Sequence, residues 1–256
     1  MPVVRSRNSI SLKTFTNYGI IPMMDRNTDT QLNKDLRVLI VVPAFNEELS
    51  LPELIPNIHK YGWESLVIND CSTDGTAEIL DQYGFLHLDL PNNVGLAGVT
   101  QIGFKYAADH GYDVAIVTDG DGQHPPRYIQ ALVDGIREGN DYVVGSRFVS
   151  EKKPMTMRMI GSRLLCAAIR LKTRKKVTDP TSGMRALGSK VLADFAENMN
   201  FIAEPDALAY ILNRGYKVKE VQVNMEERTV GVSYFHNPFK SVKFMYQVLM
   251  SILFIQ

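Results

Sequence analysis

The stretch VLIVVPAFNEE, residues 38–48, decides the fold. Its first five residues form a continuous apolar run in which four of the five side chains are β-branched. Such a run is typical of a strand buried on both faces, as in a parallel sheet covered by helices. The proline, asparagine and glutamates that follow would lie at the carboxyl end of this strand. Open α/β sheets bind ligands at that edge, so residues 43–48 are the first candidates for a binding site.

Outward from this strand, short apolar runs alternate with helical patterns. Further strands are predicted at residues 66–68, 85–88, 114–117 and 142–144, and helices at residues 51–61, 77–83, 95–108 and 129–137. This alternation predicts an α/β protein with an open, mostly parallel, doubly wound sheet. After Gly145 the alternation is lost. There the sequence predicts helices at residues 158–171, 188–198, 203–213 and 239–256, and one strand at residues 217–223.

The composition divides the chain into three parts. Residues 1–35 are polar and aperiodic, and we expect them to be a mobile extension. Residues 36–235 form the predicted α/β domain. Residues 236–256 predict an amphipathic helix at a membrane interface, or the start of a hydrophobic region that continues past Gln256, because apolar residues occupy nearly its whole circumference. Packing on the body of the domain, or a seam between two copies in a homo-oligomer, is the alternative for this helix.

The charge balance and the cysteines narrow the class of protein. The chain has 28 Lys and Arg against 28 Asp and Glu, a formal net charge of zero. This removes the electrostatic basis for general nucleic-acid binding. Cys71 and Cys166 cannot form a disulfide framework, and no paired Cys/His spacing predicts zinc. A reducing, cytosol-facing environment fits this composition best.

The segment TDGDGQH, residues 118–124, carries the strongest chemical signal. Asp119 and Asp121 directly follow a predicted buried strand, and the intervening glycines allow close approach of backbone and ligand. Mg²⁺ and Mn²⁺ bind one or two protein carboxylates and fill their other positions with phosphate oxygens and water. A plain Asp-Gly turn is the alternative. A calcium EF-hand loop is disfavoured, because Pro125, Pro126 and Arg127 occupy the later ligand positions.

Four segments together resemble the family-two glycosyltransferases, which have the GT-A fold. They are VVPAFNEE at residues 41–48, INDCSTDGT at 68–76, NNVG at 92–95 and DGDGQH at 119–124. Within that family, DPTSGMR at residues 179–185 and Glu227-Arg228, followed by Gly231 and Ser233, are similar to the polyprenyl-phosphate branch that includes the dolichyl-phosphate mannose synthases. The resemblance runs from about residue 37 to residue 233.

The resemblance implies an inverting hexosyltransferase that moves a sugar from a UDP- or GDP-sugar to a polyprenyl phosphate, undecaprenyl or dolichyl, in cell-envelope glycan synthesis. It implies a nucleotide-sugar site, which comprises Pro43, Ala44, Asn46, Glu47, Asp70, Asp119, Gly120 and Asp121. It also implies a Mg²⁺ or Mn²⁺ ion held by Asp119, Asp121 and Gln123. Strand-end carboxylates suit this donor because they accept hydrogen bonds from a base or a ribose hydroxyl.

Arginines are expected to meet the phosphate groups, since a guanidinium donates paired hydrogen bonds without losing its charge. The resemblance places Arg147, Arg163 and Arg228 at the acceptor phosphate. It makes the catalytic group Asp121 together with Arg147, Arg185 and Arg228.

The residues alone leave the acceptor and the reaction class open. Glu204 and Asp206, at the start of a predicted helix, could supply the general base that a sugar-hydroxyl acceptor needs. They could equally cap that helix and interact with its dipole. Tyr234 stands where the polyprenyl-phosphate branch has a lysine, so one expected phosphate contact is absent. A nucleotidyltransferase and a non-catalytic nucleotide-sugar-binding protein also stay open as hypotheses.

The basic segment at residues 152–176 favours a lipid acceptor, because clusters of Lys and Arg attract anionic membrane surfaces. A solvated helix face is the alternative for this segment. No stretch reaches the roughly 20 apolar residues that cross a bilayer. We therefore expect a peripheral enzyme at the cytoplasmic face of a membrane.

Overall fold

The predicted central strand is the third in order among the seven sheet strands of the described residues. The structure, a computed structural model, describes residues 36–198, 201, 204–226 and 238–255. The strands of the described residues are β1 (Val38–Ala44), β2 (Glu64–Asn69), β3 (His87–Asp89), β4 (Val114–Val117), β5 (Tyr142–Ser146), β6 (Arg185–Gly188) and β7 (Val218–Gln222). Their order in the sheet is β3-β2-β1-β4-β6-β5-β7. The expected extension at residues 1–35 and the residues around Arg228 lie outside the described residues.

The sheet is mostly parallel, as predicted. β1 pairs in parallel with β2 and β4, and Val41 lies opposite Leu66 on one side and Val117 on the other. The exception is β6, which runs antiparallel between β4 and β5. The sequence analysis missed β6, because a four-residue strand that begins with Arg185 and ends with Gly188 has no apolar run to signal it.

Helices cover both faces of the sheet. They are α1 (Leu51–Lys60), α2 (Thr76–Tyr83), α3 (Gly95–Asp109), α4 (Ile129–Arg137), α5 (Met157–Thr173), α6 (Ser189–Glu197), α7 (Glu204–Asn213) and α8 (Pro238–Met250). A short 3₁₀ helix at Pro126–Tyr128 precedes α4, and a π-helical turn at Ser251–Ile255 follows α8. Each predicted helix is present, with boundaries that differ by at most a few residues.

The core has two layers because successive side chains of a strand point to opposite faces. Leu39 and Val41 belong to the core layer that includes α3 and α5 to α8, whereas Ile40 and Val42 belong to the layer that includes α1, α2 and α4. The doubly wound architecture predicted from the alternating pattern is thereby confirmed.

The C-terminal segment has two different faces. Val248 and Ile252 are buried in the same core layer as Leu39, so α8 and the π-helical turn pack on the α/β body. Tyr246 and Phe254 are exposed. Packing on the body, the alternative given for this helix, therefore describes its buried face, and a position at a membrane interface stays a prediction for the exposed one. Among the described residues, no helix has the length and apolarity that crossing a membrane requires.

Candidate active site

Two loops at the carboxyl edge of the sheet are tied to each other. They are residues 45–48 after β1 and residues 70–76 after β2, named here the loop pair. The N–H of Asn46 donates to Ser72 Oγ at 2.9 Å, and the N–H of Thr73 donates to Asn46 Oδ1 at 2.8 Å. Further along, the N–H of Glu47 donates to Thr76 Oγ1. Because side chains of each loop satisfy backbone groups of the other, the loop pair holds one conformation.

Two carboxylates form further hydrogen bonds between the loops. The N–H of Glu48 donates to Asp74 Oδ2, and the N–H of Gly75 donates to Glu48 Oε2 at 2.7 Å. Asn46 and Cys71 have positive φ angles, 58° and 60°. Asn tolerates this left-handed region better than most residues, whereas Cys does not, so the network stabilises a strained turn at the strand end.

Asp70 directly follows β2 and is buried. Its two carboxylate oxygens accept hydrogen bonds from the N–H groups of Val94 and Gly95, at 2.7 and 2.9 Å. Asp70 therefore caps the N-terminus of α3, where a negative charge is favourable. The role predicted for it toward the base or ribose stays a prediction, and its observed contacts position the start of α3 at the site edge.

Asp119 lies after β4, among residues from three other segments. A Cβ added to Gly120 would lie 2.7 Å from the carbonyl oxygen of Pro43, so only glycine allows this approach between the two strand ends. A Cβ added to Gly183 would lie 3.0 Å from both Asp119 Oδ1 and His124 Cε1. The structure thus brings together the sequence-predicted residues Pro43, Asp119 and Gly120.

A buried histidine, His124, contacts the backbone of Asp119. It is buried, and its Nδ1 accepts the backbone N–H of Asp119 at 3.1 Å. That geometry assigns the proton of a neutral imidazole to Nε2. The same Nδ1 lies 3.5 Å from Asp119 Oδ2. His124 therefore positions the backbone of Asp119, while the carboxylate itself remains partly exposed.

The Asp121 carboxylate shapes the rest of this loop. Its Oδ1 accepts the N–H of Gln123, which closes a tight turn, and Gly122 adopts a φ of 74°. The carbonyl oxygen of Gln123 accepts the N–H of Glu226, and Glu226 Oε1 accepts a 2.9 Å hydrogen bond from Arg127. These contacts keep Glu226 beside this loop. Glu226 is the last described residue before Arg228, and the role predicted for Arg228 stays a prediction.

The donor set at Asp119, Asp121 and Gln123 fits a hard divalent ion. All three offer oxygen ligands, and the lack of a side chain at Gly183 leaves the Asp119 carboxylate uncrowded on that side. Among the described residues, no group of three or more His, Cys, Asp or Glu side chains could hold a metal ion by itself. An ion here would need oxygens from a ligand as well, which is how Mg²⁺ commonly binds together with phosphates.

Arg147 lies in a bidentate pair with Asp179. Its Nε and Nη2 donate to the two carboxylate oxygens at 2.7 and 2.8 Å, and Nη2 also lies 3.2 Å from Thr181 Oγ1. The Asp179 side chain is fully buried, whereas 18% of the Arg147 side chain is exposed. A buried carboxylate thus fixes the orientation of a guanidinium that still reaches the surface.

Asp179 is itself held by β7. Glu220 accepts hydrogen bonds from the backbone N–H groups of Thr178 and Asp179, at 2.8 to 2.9 Å. Ser182 Oγ donates to the carbonyl oxygen of Gly145 at the end of β5. The segment at residues 178–183 is therefore anchored on both sides, and it connects Arg147 with the Asp119 carboxylate.

Arg185, the first residue of β6, is buried. Its Nη2 donates to Glu204 Oε1 at 3.1 Å, and its Nη1 lies 3.5 Å from the hydroxyl of Tyr142. Burial opposes the charge, but the neighbouring Tyr142, Glu204 and Asp119 outweigh it and raise the pKa of the Arg185 guanidinium. Burial also disfavours the charged form of Tyr142, and it therefore raises the pKa of the Tyr142 hydroxyl. Arg185 therefore stays charged, near the predicted metal loop.

The two carboxylates at the start of α7 differ in environment. Glu204 keeps 21% of its side chain exposed and pairs with Arg185. Asp206 is fully buried, and its oxygens accept hydrogen bonds from the N–H of Ala207 and from Ser251 Oγ. Asp206 thus connects α7 to the π-helical turn inside the core and lies away from solvent. The role of either residue as a base stays a prediction.

The Arg163 side chain, on α5, contacts the loop that precedes this helix. Its Nη1 and Nη2 donate to the backbone carbonyl oxygens of Pro154 and Lys153. The observed contacts therefore shape the loop between β5 and α5, and contact with an acceptor phosphate stays a prediction.

Sequence reasoning missed three residues that shape the site. Tyr142 and Glu220 lie inside strands and gave no local signal. Gly183 lies in a quoted motif, but its contact with Asp119 depends on how β6 pairs with β4.

Comparison with known proteins places this geometry in a family. Residues 39–195 match the family model described as Glycosyl transferase family 2. The chain is 31% identical over 213 residues to an undecaprenyl-phosphate mannosyltransferase of Micrococcus luteus, a match that covers 77% of this chain and 87% of the relative. It is 27% identical over 212 residues to a polyprenol monophosphomannose synthase of Mycolicibacterium smegmatis, covering 77% of this chain and 80% of the relative.

A solved structure shares the fold. It is the glucosyl-3-phosphoglycerate synthase of Mycobacterium tuberculosis, crystallised with Mn²⁺, uridine diphosphate and phosphoglyceric acid. The TM-score is 0.65 at 19% identity, and the match covers 87% of this chain and 80% of that one. The fold is therefore of the GT-A type, as the sequence predicted.

Proposed function

Because the chain belongs to glycosyl transferase family 2, we propose that it transfers a sugar from a nucleotide diphosphate sugar to a polyprenyl phosphate, with inversion at the anomeric carbon. The chain is a glycosyltransferase. The relatives in Micrococcus luteus and Mycolicibacterium smegmatis, named for undecaprenyl-phosphate and polyprenol acceptors, support this acceptor class. The nucleotidyltransferase and non-catalytic hypotheses lose their basis with the family assignment.

One observation carries the choice of acceptor. Asp206 and Glu204 are the two candidate bases for a sugar-hydroxyl acceptor. Asp206 accepts a hydrogen bond from Ser251 inside the core, and Glu204 pairs with Arg185. A hydroxyl must lose a proton as it attacks, whereas a phosphate monoester is already anionic at neutral pH. Because the two bases that the sequence suggests, Glu204 and Asp206, are both paired with described residues, we favour the phosphate acceptor.

The donor diphosphate would lie at the carboxyl edge of β1 and β4. There Asp119, Asp121 and Gln123 would hold a Mg²⁺ or Mn²⁺ ion, which when bound neutralises charge on the departing diphosphate. The loop pair, through Pro43, Ala44, Asn46 and Glu47, and Asp70 beside it, would line the base and ribose. The backbone approach at Gly120 keeps the two strand ends close enough for one ligand to span them.

Arg147 and Arg185 would stabilise phosphate charge. Charge that increases in the transition state is best stabilised by donors already in position. Arg147 is oriented by Asp179 and reaches the surface, so it is the preferred contact for the acceptor phosphate. Arg185 is buried beside Asp119 and contributes its charge to the leaving side. Arg163 and Arg228 are the remaining candidates at the acceptor.

A transfer assay tests this proposal. A panel of radiolabelled UDP- and GDP-sugars is incubated with Mg²⁺ or Mn²⁺ and with undecaprenyl or dolichyl phosphate, and label is counted in the organic phase. We expect one donor to label the lipid, and EDTA or Asp121→Ala to abolish the label. Asp109→Ala, at a surface pair with Lys105, is the matched control and should leave transfer unchanged.

Two results would overturn the acceptor assignment. One is metal-dependent donor hydrolysis without label in any lipid phosphate. The other is transfer to a sugar hydroxyl that disappears in Glu204→Gln, which would establish Glu204 as a base.

A further inference from the structure

Helix α5 presents an apolar stripe to solvent. Met157, Ile160, Leu164 and Leu171 are exposed, at spacings of three, four and seven residues that place them along one side of the helix. Met157 is 83% exposed and Leu171 is 77% exposed, so no described residue covers them. The opposite side of α5, including Leu165 and Ile169, is buried in the core.

Helix α8 and the π-helical turn extend this apolar surface. They contact α5 closely, since a Cβ added to Gly161 would lie 2.7 Å from Met245 Cε, and Lys172 Nζ donates to the carbonyl oxygen of Leu253. Tyr246 and Phe254 on this neighbouring element are also exposed. The exposed apolar side chains of both elements are here named the docking face: Met157, Ile160, Leu164, Leu171, Tyr246 and Phe254.

The charged residues of the two segments that carry the docking face are all basic. Residues 152–176 contain nine Lys and Arg and no Asp or Glu, and residues 238–255 contain two Lys and no acidic residue. Exposed Arg170, Arg174, Lys175 and Lys176 lie at the end of α5, and Lys152 precedes it. Since the whole chain has zero net charge, the basic residues are concentrated beside the apolar stripe.

We propose that the docking face binds the surface of an anionic lipid bilayer, with its apolar side chains inserted at the level of the headgroups. Apolar insertion combined with basic residues is how interfacial helices bind anionic membranes. Two copies of this chain would not pair through the face readily. A two-fold interface would bring each basic segment against its own copy.

The position of the docking face would bring a lipid acceptor to the active site. This part of the inference rests on the proposed function. Residues 147–156 connect the carboxyl end of β5 to the start of α5. Lys153 Nζ lies 5.3 Å from the centre of the Phe148 ring and donates to Ser162 Oγ, so α5 lies close to the strand end that carries Arg147. Docking there would bring the headgroup layer toward that arginine. A lipid phosphate could then reach the site while its chain stays in the bilayer.

Vesicle flotation tests the proposal directly. The protein is mixed with vesicles of phosphatidylcholine alone or of phosphatidylcholine with phosphatidylglycerol. We expect binding at least about tenfold tighter with phosphatidylglycerol, and weaker binding as salt is added. Leu164→Glu combined with Leu171→Glu should reduce that binding by roughly tenfold or more. Lys175→Glu combined with Lys176→Glu should reduce it at low salt only.

Tyr61→Glu is the matched control, because Tyr61 is an exposed apolar residue at the end of α1, outside the docking face. It should float like the unmodified protein. Circular dichroism and thermal unfolding confirm that each variant is folded. Equal binding to both vesicle types, or unchanged binding of the Leu164/Leu171 variant, would overturn the proposal. Self-association that the leucine variant abolishes, with no vesicle binding, would show that the face joins two copies.

A soluble assay separates this inference from the proposed function. Metal-dependent hydrolysis of the donor sugar needs no bilayer, so the leucine variant should retain it at the unmodified rate. Loss of flotation with intact hydrolysis supports the docking face alone. A protein that floats as expected but transfers nothing to any lipid phosphate would refute the proposed acceptor and leave the docking face standing.

Discussion

The two sides of the candidate site are held together by different interactions. In the loop pair after β1 and β2, five backbone N–H groups donate to side chains of the facing loop. At β5 and β6 the main contacts are two guanidinium–carboxylate pairs, Arg147 with Asp179 and Arg185 with Glu204. These two pairs are named the arginine side.

The difference shows which parts of the site are fixed and which can exchange partners. Each of these five backbone amides has a single N–H donor, and a side chain of the facing loop accepts it. A guanidinium has five N–H donors in a planar fork, so a carboxylate can orient it while others remain for a ligand. The hydrogen bonds described for Arg147 engage Nε and Nη2, and under the proposed function Nη1 would donate to the acceptor phosphate.

The largest effect is expected on the arginine side, in Arg185→Ala. The substitution leaves Glu204 and the buried Tyr142 hydroxyl without their shared partner, and breaking a buried ion pair in this way costs about 3–5 kcal/mol of folding free energy. Glu204 is partly exposed, so the lower end of this range is expected. Urea denaturation measures the loss.

Two further variants sharpen this result. Arg137→Ala removes an exposed arginine paired with Asp134, and should change stability by less than about 0.5 kcal/mol. Arg185→Met combined with Glu204→Gln should recover part of the loss, because no uncompensated carboxylate remains. Equal losses for Arg185→Ala and Arg137→Ala would show that burial does not distinguish the arginine side.

The second prediction concerns the orientation of Arg147. Asp179→Asn keeps the size of the buried side chain but removes the charge and one of the two acceptors that hold the guanidinium. Misplacement of a phosphate-binding group by about 1 Å costs on the order of a hundredfold in rate, or about 2.7 kcal/mol. We expect kcat to fall by about that factor with the KM for the donor sugar little changed.

A double-mutant cycle checks whether Asp179 acts through Arg147. Arg147→Lys should reduce kcat similarly, and the double variant should be no worse than either single one, since both remove the same bidentate geometry. Asp134→Asn, at a surface Arg–Asp pair, is the matched control and should leave kcat unchanged. Additive losses would mean that Asp179 has a separate role.

Sequence reasoning predicted the loop pair better than the arginine side. The β-branched run at residues 38–42 and the acidic residues after it are local signals, and the strand-end rule places them correctly. Four of the predicted strands, β1 to β4, pair in parallel with one another. A local pattern is enough for β1, β2 and β4 because these strands are buried on both faces.

The arginine side depends on long-range pairing that local patterns do not show. The phosphate contact of Arg185 stays a prediction, whereas its protein partners follow from β6, which runs antiparallel and places the guanidinium near Tyr142, Glu204 and Asp119. Glu220 lies 41 residues from the Asp179 N–H that it accepts. Neither contact has a periodic signature, so only the folded chain shows which carboxylate each arginine meets.

The third prediction tests the contact that joins the two sides. Gly183→Ala would place a Cβ 3.0 Å from Asp119 Oδ1 and from His124 Cε1, so the carboxylate must shift. We expect a roughly tenfold loss of metal-dependent activity, about 1.4 kcal/mol, because the ligand moves by a few tenths of an ångström. Raising the Mn²⁺ concentration should recover part of the activity.

Stability should respond less than activity in this variant, since the Asp119 side chain is partly exposed and can move toward solvent. Gly62→Ala provides a matched comparison. Gly62 has open space around it but a φ of 81°, so that substitution should cost stability and leave activity intact. A Gly183→Ala enzyme with unchanged Mn²⁺ dependence would exclude a role for this contact at the metal ligand.

The smallest effect is expected in the loop pair, and it separates two contributions of Asn46. This residue has a φ of 58°, and its Oδ1 accepts the N–H of Thr73 at 2.8 Å. Asn46→Gly keeps a residue that adopts positive φ freely but loses the side-chain acceptor. Asn46→Ala loses that acceptor and adds the cost of a left-handed conformation, about 1 kcal/mol.

Asn46→Ala should therefore be less stable than Asn46→Gly by about 1 kcal/mol, the reverse of their order in a helix. Both should weaken nucleotide binding by a similar small factor, because each removes the same hydrogen bond between the loops. Urea denaturation and titration with the nucleotide diphosphate measure the two effects. If alanine were the more stable variant, backbone conformation would not hold the loop pair, and its rigidity would rest on the hydrogen bonds alone.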